Sequence, residues 1–311
     1  MGRQTPARLM HPANRSPDFI SGTIARFTAL GLPTETVPLW LYQQLCRCSD
    51  PEFAALFADH LDLPGICPAD YLHKVIPTPS GALLGGIRFY GQDSTKPFVE
   101  LLAWTGPIDL PAWRTAITTA WSRFKPTQFR MLAVNQPEFA GAVIDQSIHA
   151  GRAGVMAETP TTPGVALRPC PNPADAAAEV AAWYDAFAAD HPTLAAELHP
   201  ADTAELAACH ANGTLDFITI DGAVAGLIAT APGPIDWLHG HVMIEEILAP
   251  AHRGRGAAAQ AQRLLAARLA TTHGSETLIT GTIHRLNIAS HRTAINAGRP
   301  AIMDYRFLPL G

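Results

Sequence analysis

The run Glu245-Glu246-Ile247-Leu248-Ala249-Pro250-Ala251-His252-Arg253-Gly254-Arg255-Gly256-Ala257-Ala258 joins an apolar strand pattern to an alanine-rich helix through a turn of two glycines and two arginines. Such a turn points consecutive backbone N–H groups outward at the positive end of a helix, which suits a bound phosphate or pyrophosphate. Glycine lets a ligand approach the backbone closely and takes positive φ without steric cost. Arginine adds charge that can reach phosphate oxygens. Two familiar phosphate sites are excluded. No Lys-Ser or Lys-Thr follows these glycines, so the loop that cradles nucleoside triphosphates is missing. Gly254, Gly256 and Ala259 fit the glycines of a dinucleotide fingerprint, but the acidic residue that follows, Glu276, precedes the next strand instead of ending it.

Arg253-Gly254-Arg255-Gly256-Ala257-Ala258 fits Arg/Gln-x-x-Gly-x-Gly/Ala and so resembles the acyl-CoA pyrophosphate loop of the GNAT superfamily of N-acetyltransferases. Ile247-Leu248-Ala249-Pro250 is similar to that family's fourth strand, and Leu278-Ile279-Thr280-Gly281-Thr282-Ile283 to its fifth. Asn287-Ile288-Ala289-Ser290, continuing to Ala297-Gly298-Arg299, resembles its second CoA-contacting helix. The resemblance covers 165–310. It implies acetyl-CoA or another acyl-CoA as co-substrate, with no metal. It places cofactor contacts at Ile247, Leu248, Ala249, Arg253, Gly254, Arg255, Gly256, Ala257, Ala258, Asn287 and Ser290. Many members carry a Tyr on the helix after the Asn, which protonates the departing thiolate; here that place falls near Ala294, so the acid is lost or replaced. Tyr305, in the predicted final strand, either reaches the site or packs in the core.

Acyl transfer from a thioester to an alkyl ammonium of pKa about 10 needs a group or water relay that removes a proton. Glu246 is the first choice. It stands two residues before Leu248, so strand alternation gives the two one face, and Glu245 takes the other unless a bulge reverses the parity. The alternative for Glu246 is packing or a salt link, because Glu100 occupies a matching place in the first half of the chain. His284 is the second candidate, since histidine titrates near neutrality; the alternative is a solvated loop residue. His239 and His241 line a substrate pocket or lie on the surface.

The elements that must position these residues read as two related units. In the second, 165–168 is a strand, 174–189 and 201–211 are helices, and 215–220 and 224–230 form a hairpin about Asp221-Gly222, a pair that type I′ turns favour. A strand after Trp237 and a helix from Gly256 to Gly274 follow. Three weak internal matches occur in order: 81–87 with 222–228, 100–103 with 246–249, and 147–156 with 294–303. They suggest two tandem GNAT-like domains, each a mixed, mostly antiparallel twisted sheet flanked by helices, in an α/β (α+β) fold. The expected division is a mobile leader at 1–17, a degenerate domain at 18–159, a Pro/Thr/Gly linker at 160–164 and the acetyltransferase domain at 165–311. The first unit has Trp104-Thr105-Gly106-Pro107-Ile108-Asp109 where the second has its loop; a proline removes a donor and Asp109 repels phosphate, so CoA is not expected there.

Composition narrows the functional classes. The chain has 311 residues, 48% of them hydrophobic, and a net charge of −5, which argues against a general nucleic-acid or membrane-surface binder. No apolar run suits a membrane span, and the start lacks a signal-peptide pattern. Five scattered cysteines suit reduced thiols and a cytoplasmic location, and Cys46-Arg47-Cys48 has no second pair to complete a metal site. The expectation is an acyl-CoA-dependent N-acetyltransferase acting on a small-molecule primary amine, as a monomer or homodimer, without nucleic acid or membrane. The alternatives are a non-catalytic acyl-CoA sensor and a protein (lysine or N-terminal) acetyltransferase.

Overall fold

The computed structural model describes residues 18–61, 63–134, 139, 141–161 and 163–311. The expected leader at 1–17 and one residue of the expected linker, Thr162, lie outside them. The first half holds α1 (Phe19–Thr28), α2 (Val37–Cys46), α3 (Pro51–Ala58), β1 (Lys74–Thr78), β2 (Gly81–Phe89), β3 (Pro97–Trp104), α4 (Leu110–Ala120), β4 (Gln128–Ala133), β5 (Val143–Arg152) and α5 (Ala153–Ala157). The second holds β6 (Val165–Pro169), α6 (Pro173–Asp190), α7 (Pro192–Ala195), α8 (Thr203–Ala211), β7 (Leu215–Ile220), β8 (Ala223–Ile235) and β9 (Leu238–Leu248). It ends with α9 (Ala257–His273), β10 (Leu278–His284), α10 (Ile288–Asn296) and β11 (Ala301–Pro309).

Local chemistry accounts for many boundaries. Asn172 caps α6 through its side chain, and Asp202 with Glu205 forms a capping box that starts α8. Asp221 and Gly222 both take positive φ, +50° and +85°, as a type I′ turn requires. Gly274, at φ +100°, ends α9. β8 runs further than the predicted 224–230, to Ile235, through Pro232 and Pro234. Its pairing with β7 stops at Ala229, and the Thr230 N–H still donates to the Thr214 carbonyl at 3.0 Å; the prolines lie beyond the β7 pairing, so their missing N–H groups break no ladder with that strand.

The strands form one sheet in the order β1-β2-β3-β4-β11-β5-β10-β9-β8-β7-β6. It is mixed and mostly antiparallel, as expected; only β3–β4 and β9–β10 run parallel. Each parallel pair is short. In β9–β10 the partners are His241 with Ile279 and Val242 with Thr280, after which the strands diverge and open a cleft.

Two features of the sheet were not legible beforehand. First, the final strands are exchanged. β5, which closes the first half of the chain, pairs with β10 of the second; β11, which closes the second, pairs with β4 of the first, and β5 and β11 pair with each other. The halves therefore share one continuous sheet. Second, the β8–β9 turn reaches into the first half. Trp237 is fully buried there, stacked on Phe27 with centroids 3.6 Å apart, and its Nε1 donates to the Pro33 carbonyl at 3.2 Å.

The structure corrects one internal match. Residues 81–87 and 222–228 both lie at the second strand of a hairpin, and 100–103 and 246–249 both lie toward the end of the following strand. However, 147–152 belongs to strand β5 whereas 294–296 ends helix α10, so the third likeness is accidental. The chain counterpart of β5 is β11.

Candidate functional site

Where β9 and β10 part, the end of β9, the starts of α9 and α10, and Tyr184 and Phe187 of α6 surround a cleft of about 170 Å³. At its loop end Gly254 and Gly256 have φ +76° and +78°, and a Cβ built on either meets no atom within 4 Å. They are needed for backbone conformation, and they leave the approach open. Gly256 is the N-cap of α9 and offers no side-chain acceptor, so the first N–H groups of a helix of 17 residues keep their hydrogen-bonding capacity and its dipole.

The two arginines divide the work differently from the expectation that both reach a ligand. Arg253 Nε donates to the Leu248 carbonyl at 2.9 Å and its Nη2 to the Trp183 carbonyl at 3.3 Å, with the guanidinium over Phe187 at 5.4 Å. It fastens the turn to the end of β9 and to α6. Arg255 stays exposed.

β9 carries a bulge at Ile244, because Ala229 pairs with Glu245 and Thr230 with Met243. The bulge precedes the acidic pair, so alternation from Glu245 onward holds. Glu245 turns toward α6 and is 4% exposed; it accepts from Tyr184 Oη at 3.2 Å and from the Ala201 N–H at 3.0 Å. Burial raises its pKa. Glu246 turns toward α9, where its Oε2 accepts from Gln262 Nε2 at 2.7 Å. Its Oε1 is buried and has no partner among the described residues.

A relay lies behind Glu246. Gln262, fully buried, accepts from Arg299 Nε at 3.3 Å through Oε1 while donating to Glu246, so its amide orientation is fixed by a cation on one side and a carboxylate on the other. Arg299 is 2% exposed; a Cβ on Gly281 would sit 2.6 Å from its Nη1, so glycine there makes its room. Burial pushes the Glu246 pKa up to about 7, outweighing the attraction of Arg299 and the Gln262 hydrogen bond. Glu246 lines the cleft, and a carboxyl group whose pKa lies near 7 there can accept a proton from a substrate.

Asn287 caps α10, accepting from the Ser290 N–H at 3.1 Å. Of the sequence-predicted residues, Glu246, Ile247, Leu248, Arg253, Gly254, Ala258, Asn287 and Ser290 line the cleft. Ala249 packs beneath the loop, Ala257 is buried in the first turn of α9, and Gly256 and Arg255 lie on the exposed turn. Glu245 stands behind the cleft wall. His284 is buried at the end of β10, 8% exposed, where its carbonyl accepts from the Asn287 N–H at 2.8 Å, and it does not line the cleft. His241 is buried against His273, and His239 is exposed on the far part of β9.

Tyr305 reaches neither this cleft nor a purely apolar core: its hydroxyl donates to Asp236 at 2.6 Å in a different cavity. Ala294 is fully buried. Tyr184 and Phe187 of α6 and Thr293 of α10 line the cleft without having been singled out as site residues. Gln262 and Arg299 were also missed; the available signal for Gln262 was one polar side chain on the apolar face of α9. Among the described residues no group of His, Cys, Asp and Glu is placed to hold a metal ion, and no helix is long and apolar enough to cross a membrane.

No protein-family model matches the chain, and no curated protein matches its sequence. Among solved structures the fold is similar to that of GNAT-family proteins. One is an acetyltransferase from the GNAT family of Colwellia psychrerythraea, at 12% identity and a TM-score of 0.46 over 74% of this chain and 81% of that one. A second is a GCN5-related N-acetyltransferase from Kribbella flavida, at 15% identity and a TM-score of 0.42 over 77% and 90%. A third is a tandem GNAT protein from the clavulanic acid biosynthesis pathway, at 14% identity and a TM-score of 0.43 over 85% and 97%.

Proposed function

We propose that the β9–β10 cleft binds acyl-CoA and that the chain transfers the acyl group to a primary amine of a small molecule. The observation that carries this reading is the combination, in one cleft, of an uncapped helix N-terminus and a buried carboxylate oxygen without a partner. The first N–H groups of α9 receive the pyrophosphate, with exposed Arg255 adding charge at the rim. The diverging edge of β9 at Ile247 and Leu248 takes the pantetheine arm by strand addition. Asn287 and Ser290 bound the opposite wall.

In this reading Glu246 takes a proton from the acceptor ammonium. The freed amine nitrogen attacks the thioester carbon, a C–N bond forms, the C–S bond breaks with CoA leaving as thiolate, and the second proton shed by the nitrogen as it becomes an amide passes through water to that thiolate. The pKa of about 7 suits the task, since the group is ionised at slightly alkaline pH yet basic enough to accept. Tyr184 also lines the cleft, but its hydroxyl proton is engaged by Glu245, and burial together with the Glu245 charge raises its pKa, so CoA leaves without a proton from Tyr184. The first half is proposed to be a related unit that lost its loop and serves as a wall and a partner in the shared sheet.

The test is thiol release from acetyl-CoA across a panel of small primary amines, with CoA binding measured alongside. Acceptor-dependent release that falls at least a hundredfold in Glu246→Gln supports the reading. Tight CoA binding without release by any amine would leave a sensor in its place, and release dependent on a peptide lysine or N-terminus would move the acceptor to proteins.

A further inference from the structure

A second cavity, of about 190 Å³, lies between α1, α2 and strands β2–β4 and shares no lining residue with the β9–β10 cleft. It is walled largely by the first half, and Asp236 of the β8–β9 turn contributes from the second. Four arginines line it: Arg26, Arg47, Arg88 and Arg130. Only Arg130 is compensated, by Glu100 at 2.7 Å and Asp145 at 2.6 Å. Among the described residues no carboxylate lies within ion-pair distance of Arg26, Arg47 or Arg88.

The three are held in place by neutral groups. Arg88 Nη1 donates to the Ile87 carbonyl at 2.6 Å, and its Nη2 donates to His73 Nε2 at 2.8 Å. His73 Nδ1 lies 3.1 Å from the Gln44 carbonyl, so it carries the ring proton and leaves Nε2 free to accept. Gly86 makes room for this arrangement: a Cβ there would sit 2.4 Å from the His73 ring and 3.2 Å from Arg88 Nη1. Arg26 lies over the Trp104 ring at 3.8 Å and donates to Thr23 Oγ1 at 2.9 Å. Arg47 donates to Gln44 Oε1 at 2.8 Å and faces the Phe53 ring at 4.9 Å. Each guanidinium has five N–H donors, so several on each remain available.

Cations gathered in a sheltered space with fewer carboxylates than guanidiniums repel one another and have lost hydration, a cost that an anion offsets. Burial has already lowered the pKa of Arg26 and of Arg88 to about 10. The two acidic side chains of the lining do not balance its four arginines: Glu100 is ion-paired with Arg130 and attracts Arg88 only at longer range, and Asp236 accepts from Tyr305. Guanidinium groups match the oxygens of carboxylate or phosphate in paired geometry, which lysine does not.

We infer that this cavity is a binding site for a small dianionic oxyanion, a dicarboxylate or a phosphate group, gripped by Arg26, Arg47 and Arg88. Asp236 makes the site sensitive to how the β8–β9 turn is seated, and so to the second half of the chain. The proposal is independent of acyl transfer.

Calorimetric titration of the full chain with succinate, with inorganic phosphate and with uncharged succinamide, at constant ionic strength, tests it. Saturable binding of one ion per chain is expected for at least one of the two anions and not for succinamide; succinate alone would identify a dicarboxylate site, and phosphate alone a phosphate site. Arg88→Gln and, separately, Arg47→Gln should each weaken it at least tenfold, with circular dichroism checking the fold. Arg255→Gln, at the acyl-CoA turn, should leave it unchanged. If neither anion saturates, if succinamide binds equally well, or if both arginine variants fold and bind as the parent does, the site is not there.

Discussion

The helices that follow β3 and β9, α4 and α9, have N-termini finished in opposite ways. At α4, Asp109 caps the helix with its own carboxylate, accepting from the Ala112 N–H at 3.1 Å, and Pro111 sits in the first turn. Gly106, at φ +76°, packs tightly there, and a Cβ on it would lie 2.2 Å from the Ser80 carbonyl oxygen. At α9 the cap is Gly256, no side chain fills the end, and added Cβ atoms on Gly254 and Gly256 meet open space. A protein satisfies a helix end with its own oxygen or leaves it for a ligand's. The first choice makes a structural helix, and the second leaves the N–H groups that the proposed acyl-CoA site would use. The carboxylates on the preceding strands follow the same division: Glu100 is neutralised by Arg130 at 2.7 Å, while Glu246 keeps an unpaired oxygen.

The comparison can be broken at several points, and the largest effect should come from uncoupling the halves. Trp237→Ala removes a fully buried indole and its stacking on Phe27; a loss of about 3–5 kcal/mol of stability is expected in urea unfolding, together with changes at sites in both halves. A loss below about 1 kcal/mol would mean that the turn merely rests on the first half.

Glu246→Gln should lower kcat about a hundredfold or more, while CoA affinity stays near that of the parent. The parent rate should rise with pH through about 7, as the carboxylate loses its proton. Stability has the opposite slope. The folded-state pKa lies above the unfolded value of about 4.5, so the folded chain binds more protons between the two, and stability falls as pH rises through that window. The glutamine variant should lack this decline and be more stable than the parent at pH 8. By contrast, Glu100→Gln should leave Arg130 short of a partner and destabilise the fold.

A smaller effect is expected at the helix ends themselves. Gly256→Asp places a carboxylate where pyrophosphate is proposed to bind and forces a non-glycine residue to φ +78°, so CoA affinity should fall at least tenfold in a binding titration. The smallest effect belongs to Asp109→Ala, which should cost about 1 kcal/mol of stability without altering CoA binding. If CoA affinity changed there instead, the two N-termini would not differ in the way described.

Local signals in the sequence located much of the second half. Asn172, Asp221-Gly222, Gly256, Gly274 and Asn287 each start, turn or stop an element where their chemistry places them. The cleft-lining residues of the loop and of α10 were readable for the same reason, since caps and turns are set by short-range hydrogen bonds. The third internal match misled because a ten-residue likeness does not distinguish a strand from the end of a helix, as 147–152 and 294–296 show. The roles of Gln262 and Arg299 were hidden because they are residues of α9 and of the turn after α10 that meet only when β9, α9 and β10 pack together.

The sequence by itself determined that the turn at 253–258 leaves its helix end without a side-chain cap and that its counterpart at 104–109 does not, because glycine, proline and aspartate settle backbone freedom, donor supply and charge locally. Only the tertiary structure decided how the two halves are joined. The exchange of β5 and β11 depends on strand pairing between residues such as Ser147 and Asp304, and no local preference selects between such distant partners. The same packing raised the Glu246 pKa toward neutrality and gathered Arg26, Arg47 and Arg88 around one cavity, because both desolvation and charge clustering arise from residues far apart in the chain.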